Sequence, residues 1–125
     1  MFTSIFSSRS RGSWIPPIDI IDQDSNFTMI MDLPEVKKED LKVYTERSNI
    51  VCISGNRYRS KQDEDLKDLL IVAERGYGRF ERCFELPTSI DDSSVKASFR
   101  NQILRVVVPK EASKDVNPSA SIKIE

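Results

Sequence analysis

Glu74-Arg75-Gly76-Tyr77-Gly78-Arg79-Phe80-Glu81-Arg82-Cys83-Phe84-Glu85-Leu86-Pro87 is a turn-rich loop running straight into an extended segment that a proline stops. From Phe80 onward the side chains alternate: Phe80, Arg82, Phe84 and Leu86 share one face, Glu81, Cys83 and Glu85 the other. This pattern predicts a half-buried strand with one apolar face. Arg82 interrupts that face, because parity turns it the same way as the phenylalanines. A guanidinium so placed needs a carboxylate or several carbonyls, since an unpaired buried charge is costly even after relaxation. Otherwise it lies at the end of the core and reaches water along its stem.

Towards the N-terminus, Asn56 to Asp68 is charged and too unpatterned for a core element, and Leu69-Leu70-Ile71-Val72-Ala73 is a strand-like apolar run beyond it. Such a run must be buried, either over an edge of its own sheet or on the edge of a partner subunit. Asn49 opens a strand that Gly55 closes, with Val51 and Ile53 on one face and Cys52 on the other. Leu41 and Val43 begin another, with Lys42 and Tyr44 opposite, after a polar connection at Val36 to Asp40. Phe27, Met29, Met31 and Leu33 alternate with Thr28, Ile30 and Asp32 up to Pro34. Ile18 to Ile21 is a short edge-type strand beside Trp14-Ile15-Pro16-Pro17, whose prolines force extended backbone. Met1 to Ser13 is Ser/Arg-rich without a sustained period, and reads as a flexible arm carrying Phe2, Ile5 and Phe6.

Towards the C-terminus, Val95, Ala97 and Phe99 alternate with Ser94, Lys96 and Ser98, and Leu104, Val106 and Val108 share a face of a strand ended by Pro109. Lys110 to Ser121 reads as an unpacked linker. Ile122-Lys123-Ile124 then sets two branched aliphatics on one side of an extended segment, the form of a peptide that adds to a sheet edge. About seven short strands, turn signals near every ten residues and almost no helical periodicity predict an all-β antiparallel sandwich. The expected organisation is an arm over 1–13, one domain over 14–110 and a C-terminal extension over 111–125.

Composition narrows the function classes. The 19 basic and 20 acidic residues nearly cancel and form no basic stripe, so a nucleic-acid partner has no electrostatic support. The apolar runs are too short to span a bilayer and no signal-type segment opens the chain, so no membrane partner is expected and the cytoplasm is the expected compartment. There is no histidine, which removes the usual general base, the usual partner of a nucleophilic Ser or Cys and the usual transition-metal ligand. No G-x-x-x-x-G-K loop is present, and no enzyme activity, cofactor or metal is expected. Cys52 and Cys83 each fall inside a predicted strand rather than in a C-x-x-C spacing, which argues against a disulfide framework and a thiolate metal site.

From Ile18 to Lys110 the chain resembles the α-crystallin domain of the small heat-shock proteins, in the form found in plants, fungi and prokaryotes. The resemblance rests on Leu33-Pro34-x-Val36-Lys37-Lys38-Glu39-Asp40, Ile53-Ser54-Gly55-x-Arg57, Glu74-Arg75-Gly76-Tyr77-Gly78-x-Phe80, Phe84-x-Leu86-Pro87 and Ala97-x-Phe99-x-Asn101-x-x-Leu104-x-Val106-x-Val108-Pro109-Lys110. The Ile122-x-Ile124 tail resembles the family's C-terminal motif. The resemblance implies an immunoglobulin-like sandwich that dimerises by placing a loop strand, about Leu69 to Glu74, on the partner's Ile18 to Ile21 edge. Its dimer-interface residues would be Ile18, Ile20, Leu70, Ile71, Val72, Glu74 and Arg82, the last at the position of the family's arginine near that interface. Ile122 and Ile124 would dock in a groove formed by Leu41, Val43, Val95 and Ala97, linking dimers into oligomers.

The function so implied is that of an ATP-independent holdase, which binds unfolding client proteins and keeps them from aggregating, with Phe2, Ile5, Phe6 and Trp14 as client-binding residues. The alternative is a non-catalytic, cochaperone-like adaptor or a subunit of mixed oligomers. Two positions depart from the family pattern: Glu35 and Gln102 stand where it usually has glycine. Asn101-Gln102 thereby loses the best two-residue hairpin signal, and Gln102→Gly is expected to be neutral or stabilising by up to roughly 1 kcal/mol.

Overall fold

In the computed structural model, residues 7–111 and 119–125 are described. The strands are β1 (Ser7–Gly12), β2 (Ile18–Asp22), β3 (Asn26–Asp32), β4 (Lys42–Glu46), β5 (Ile50–Arg57), β6 (Gly78–Glu85), β7 (Lys96–Arg100), β8 (Ile103–Pro109) and β9 (Ser119–Ile122). One sheet runs β1-β6-β5-β4-β9 and the other β2-β3-β8-β7, all pairings antiparallel. The antiparallel sandwich predicted from the alternation is the fold that forms. Alternate residues of each strand meet between the sheets: Phe27, Met29 and Met31 of β3, Leu104, Val106 and Val108 of β8, Val51 and Ile53 of β5, and Phe80 and Phe84 of β6 are all buried. Each such side chain contributes about 1.5 to 3 kcal/mol of transfer free energy, so this interior dominates stability.

The loop that decides the reading owes its path to two glycines. Gly78 opens β6 at φ +101°, a left-handed conformation that L side chains rarely adopt. A Cβ on Gly76 would stand 2.7 Å from Cβ of Trp14, so only glycine lets the loop lie against that ring. The β7–β8 hairpin turns through Asn101 and Gln102, both at positive φ, as a two-residue type I′ turn requires.

Several expectations are corrected. Part of the segment read as a flexible arm forms β1, in register with β6 from Ser7↔Glu85 to Gly12↔Phe80; its side chains are all exposed, so no apolar periodicity announced it. The polar loop after β5 contains a helix, α1 (Lys61–Leu66), whose N-cap Ser60 accepts from the Asp63 N–H. The strand-like run at Leu69 to Ala73 forms no strand within this chain and stays exposed, so of the two receptors expected for it the edge of its own sheet is the one ruled out. The end of the segment read as an unpacked linker is β9, while 112–118 lies outside the described residues.

The cysteine reading is also overturned. Cys52 and Cys83 stand directly opposite in the β5–β6 ladder and are joined as a disulfide. Sequence spacing was the wrong test, because a cross-strand pair is set by register over a separation of 31 residues.

Candidate functional site

Two surfaces are candidates for association. The first lies where the two sheets open, between the side of β4 that β9 covers and β7, the edge of the other sheet. Leu41 and Val43 line it beside Ile122 and Ile124, Ala97 meets it through its bridge to Ile124, and Val95 is buried in the adjoining core. The chain's own tail covers it: β9 pairs with β4 through Val43↔Ile122 to Glu46↔Ser119, and Ile124 bridges in parallel to Ala97. The Glu125 N–H donates to Ala97 O at 2.6 Å, and the Phe99 N–H donates to Glu125 O at 2.8 Å. Four residues thus carry the tail from the edge of one sheet to the edge of the other. Ile122 and Ile124 stay half-buried against the core, so the cover is shallow.

The second surface is the loop between β5 and β6. Leu66, Leu69, Leu70, Ile71 and Val72 are exposed, Leu69 at 75% and Ile71 at 99%. A contiguous row of large apolar side chains facing water is uncommon on a monomer surface, which makes this loop a candidate interaction site. Glu74 is exposed at its end. Across the molecule, β2 is an edge strand whose Ile18 and Ile20 are half-buried, Ile21 is exposed, and whose second edge carries no strand among the described residues.

The base of that loop is pinned by a charged cluster. Glu35, at φ +62°, accepts at one carboxylate oxygen from Arg57 Nη2 (2.7 Å), Arg75 Nη2 (3.0 Å) and the Tyr77 hydroxyl (3.4 Å). The hydrogen bond from Arg57 holds the Glu35 carboxyl below its usual range, helped by the charges of Arg57 and Arg75 and opposed by a smaller push from burial. Arg57 is itself buried; its Nη1 donates to Gly76 O at 2.8 Å and its guanidinium lies over the rings of Tyr77 and Trp14. Its Nε is buried without a partner, so the planar group is oriented by those rings and two acceptors. Sequence reasoning assigned Arg57 and Glu35 no role. Their pairing spans 22 residues and leaves no trace in local pattern.

Arg82 does face inward, as parity requires. It donates from Nε to Ser10 Oγ (3.1 Å) and from Nη1 to Pro16 O (2.9 Å), and lies over the Phe84 ring. Neither acceptor is a carboxylate, and burial lowers the pKa of the guanidinium. It thereby fastens β1 and the Trp14–Pro17 crossing to β6. Trp14 is half-buried in that crossing, its indole N–H donating to Gly78 O at 2.9 Å and its ring meeting Phe80 edge-on. Phe2, Ile5 and Phe6 lie outside the described residues. Among the described residues no acidic or cysteine cluster could hold a metal ion, and no helix is long and apolar enough to cross a membrane.

A sequence model of the Hsp20/alpha crystallin family matches residues 19–125. The chain is 32% identical over 110 residues to the small heat shock protein C2 of Rickettsia felis, covering 88% of this chain and 70% of that one. It is 48% identical over 79 residues to the 16.9 kDa class I heat shock protein 3 of Oryza sativa subsp. japonica, covering 63% of this chain and 52% of that protein. The chain therefore spans about half the length of the plant class I relatives it matches. Among solved structures it superposes on hspA of Xanthomonas axonopodis with a TM-score of 0.68 at 31% identity, covering 81% of this chain and 98% of that one. A small heat-shock protein of Xylella fastidiosa gives 0.65 at 30% identity, with 84% and 94% covered.

Proposed function

The chain belongs to the Hsp20/alpha crystallin family, and on that premise we propose that it is an ATP-independent chaperone that holds unfolding proteins in the cytoplasm and keeps them from aggregating, without catalysis. The observation that carries this reading is the shallow cover on the β4–β7 groove. Leu41, Val43 and Ala97, with Val95 buried beside them, form an apolar strip at an open edge, closed by a short strand with only two half-buried isoleucines. A four-residue ladder with so little buried area is displaceable by another extended apolar peptide. Ile122 and Ile124 act in this scheme as an internal competitor for client or partner segments.

Self-assembly uses the second surface. The exposed run at about Leu69 to Glu74 supplies a strand to the free edge of β2 in a second copy, burying Ile71 and Val72 near Ile18 and Ile20, with Arg82 holding the crossing that leads into that edge. Dimers so formed link through exchange of the Ile122-x-Ile124 tail between copies. Phe2, Ile5, Phe6 and Trp14 add client-binding surface at the N-terminal side.

Light scattering of a heat-aggregating client, without ATP and with increasing amounts of this protein, tests the reading. Suppression that saturates near stoichiometric ratios is the expected result. Unabated aggregation at several-fold excess of folded, dimeric protein would overturn it in favour of the adaptor or mixed-oligomer role.

A further inference from the structure

The outer face of the β1-β6-β5-β4 sheet carries a feature that client holding does not use. Cys52 and Cys83, 0% and 1% exposed, form with Ile50 a small buried cluster separate from the main core, against which Tyr44 packs. Register puts Tyr44 of β4 opposite Cys52 and Arg9 of β1 opposite Cys83. Two side chains roof the disulfide. Arg9 Nη2 reaches both carboxylate oxygens of Glu46 at 3.4 Å, and because Glu46 is on β4 the pair meets across the two strands that carry the cysteines. The Tyr44 hydroxyl donates to Glu81 Oε2 at 2.5 Å across β5.

These two covers differ in strength. Tyr44 is half-buried and hydrogen-bonded to a carboxylate, and its phenol is pushed up to about 12, chiefly by burial, so it stays neutral and in place. The Arg9–Glu46 pair is 46% and 36% exposed, long, and carried at one end by an all-exposed edge strand. Such a pair holds weakly and is screened by salt. The bond is therefore buried under a lid that moves at little cost on the Cys83 side. The β5–β6 ladder has eight registered pairs, so the sheet does not depend on the bond for its pairing. The bond closes the segment that contains α1 and the exposed run Leu66 to Val72, and stops β5 and β6 from unzipping past Cys52↔Cys83.

We propose that Cys52 and Cys83 form a reversible dithiol/disulfide site, open to small thiols and disulfides of the glutathione class, with Arg9 as its gate. In the reducing direction a glutathione thiolate attacks Cys83 Sγ; the Cys52–Cys83 bond breaks and its electron pair leaves on Cys52 Sγ, which takes a proton from water. A second glutathione thiolate attacks the glutathione sulfur of the mixed disulfide and releases the Cys83 thiolate, so that two glutathiones are oxidised to their disulfide and the cysteine pair is reduced. The oxidising direction is the reverse, with glutathione disulfide as the oxidant.

The test uses the full chain under native conditions, equilibrated with mixtures of reduced and oxidised glutathione, then acid-quenched, alkylated and weighed by mass spectrometry. Excess oxidised glutathione is expected to give an intramolecular disulfide with neither cysteine alkylated, and excess reduced glutathione to return both. Arg9→Ala and added salt are each expected to speed reduction by up to about fivefold, whereas Arg100→Ala, on β7 of the other sheet, leaves the rate unchanged. Two results would overturn the proposal: cysteines that stay alkylatable under excess oxidised glutathione, or reduction at the rate of global unfolding and equal in the parent and Arg9→Ala.

Discussion

The backbone N–H of Glu35 donates to the side-chain Oε1 of Gln102 at 2.8 Å, joining two residues that both hold positive φ, 62° and 66°. These are the two positions at which the resemblance implies glycine, and in the structure they are a linked pair. Gln102 also accepts the Leu33 N–H at its backbone carbonyl, so the Leu33–Val36 turn and the β7–β8 hairpin are tied together.

The expected effect of Gln102→Gly changes accordingly. Glycine relieves the left-handed strain, worth about 1 to 2 kcal/mol, but removes an exposed hydrogen bond worth about 0.5 to 1.5 kcal/mol. The two nearly cancel, so the urea midpoint should stay close to the parent's. Gln102→Ala keeps the strain and loses the bond, and should cost about 1 kcal/mol. Equal midpoints for the Gly and Ala variants would show that the side-chain bond contributes nothing.

The Glu35 carboxyl gives stability a pH dependence of known sign. Its pKa is depressed in the folded protein, so its stabilisation is complete above the ordinary carboxylate pKa, 4.5, and is lost as pH falls through the lower folded value. Glu35→Gln should lower the unfolding midpoint at neutral pH, and the gap to the parent should close in acid. The side chain is well exposed to solvent, so the gap is modest. A gap that stays constant from neutral pH into the acid range would place the effect in packing instead of charge.

Alternation made seven strands of this fold legible, because a strand with one buried face writes a period of two into the sequence. β1 was not legible: SSRSRG lies on a sheet edge with every side chain in water, so only the register with β6 defines it. The inward turn of Arg82 was readable from parity, yet its acceptors Ser10 and Pro16 were not, since both come from a segment with no pattern of its own. The disulfide failed for a related reason. Each cysteine's strand and face were apparent, but not that the two strands are neighbours with these residues level.

The disulfide joins residues separated by 31 positions, and reducing it should cost up to about 3 to 4 kcal/mol by loop-entropy reasoning. The measurement is the urea midpoint of the parent with and without reductant, beside a Cys52→Ser/Cys83→Ser double variant that should not respond to reductant. A parent that is equally stable in both states would mean that β5–β6 stays closed when the rest of the chain unfolds.

Arg82 joins three elements by two hydrogen bonds, so Arg82→Ala should leave Pro16 O without its donor and destabilise by about 1 to 3 kcal/mol. Arg82→Lys supplies a charge but not the planar fork, and should recover only part of the loss. Hydrogen exchange locates the effect: added exchange should concentrate in β1 and Trp14 to Asp22. Uniform acceleration across both sheets would assign Arg82 to general core packing.

Replacing Ile122 and Ile124 together by Ala tests whether side chains or the β4–β9 ladder hold the tail. Both isoleucines are half-buried, so their loss should cost less than the roughly 2 to 5 kcal/mol per site of full burial. The ladder from Val43↔Ile122 to Glu46↔Ser119 survives on paper, since alanine keeps every backbone group. It should nevertheless release, because two to four backbone bonds on an exposed edge contribute little once water competes for them. Released tail uncovers Val43 and Ala97, which should raise the fluorescence of an apolar dye, and the same change should lower the mass of any oligomer by light scattering. Higher fluorescence with unchanged mass would mean that the tail serves only as a cover within its own chain. If neither changes, the backbone ladder alone keeps the groove shut, and an extended client would have to compete with main-chain hydrogen bonds instead of with two isoleucines.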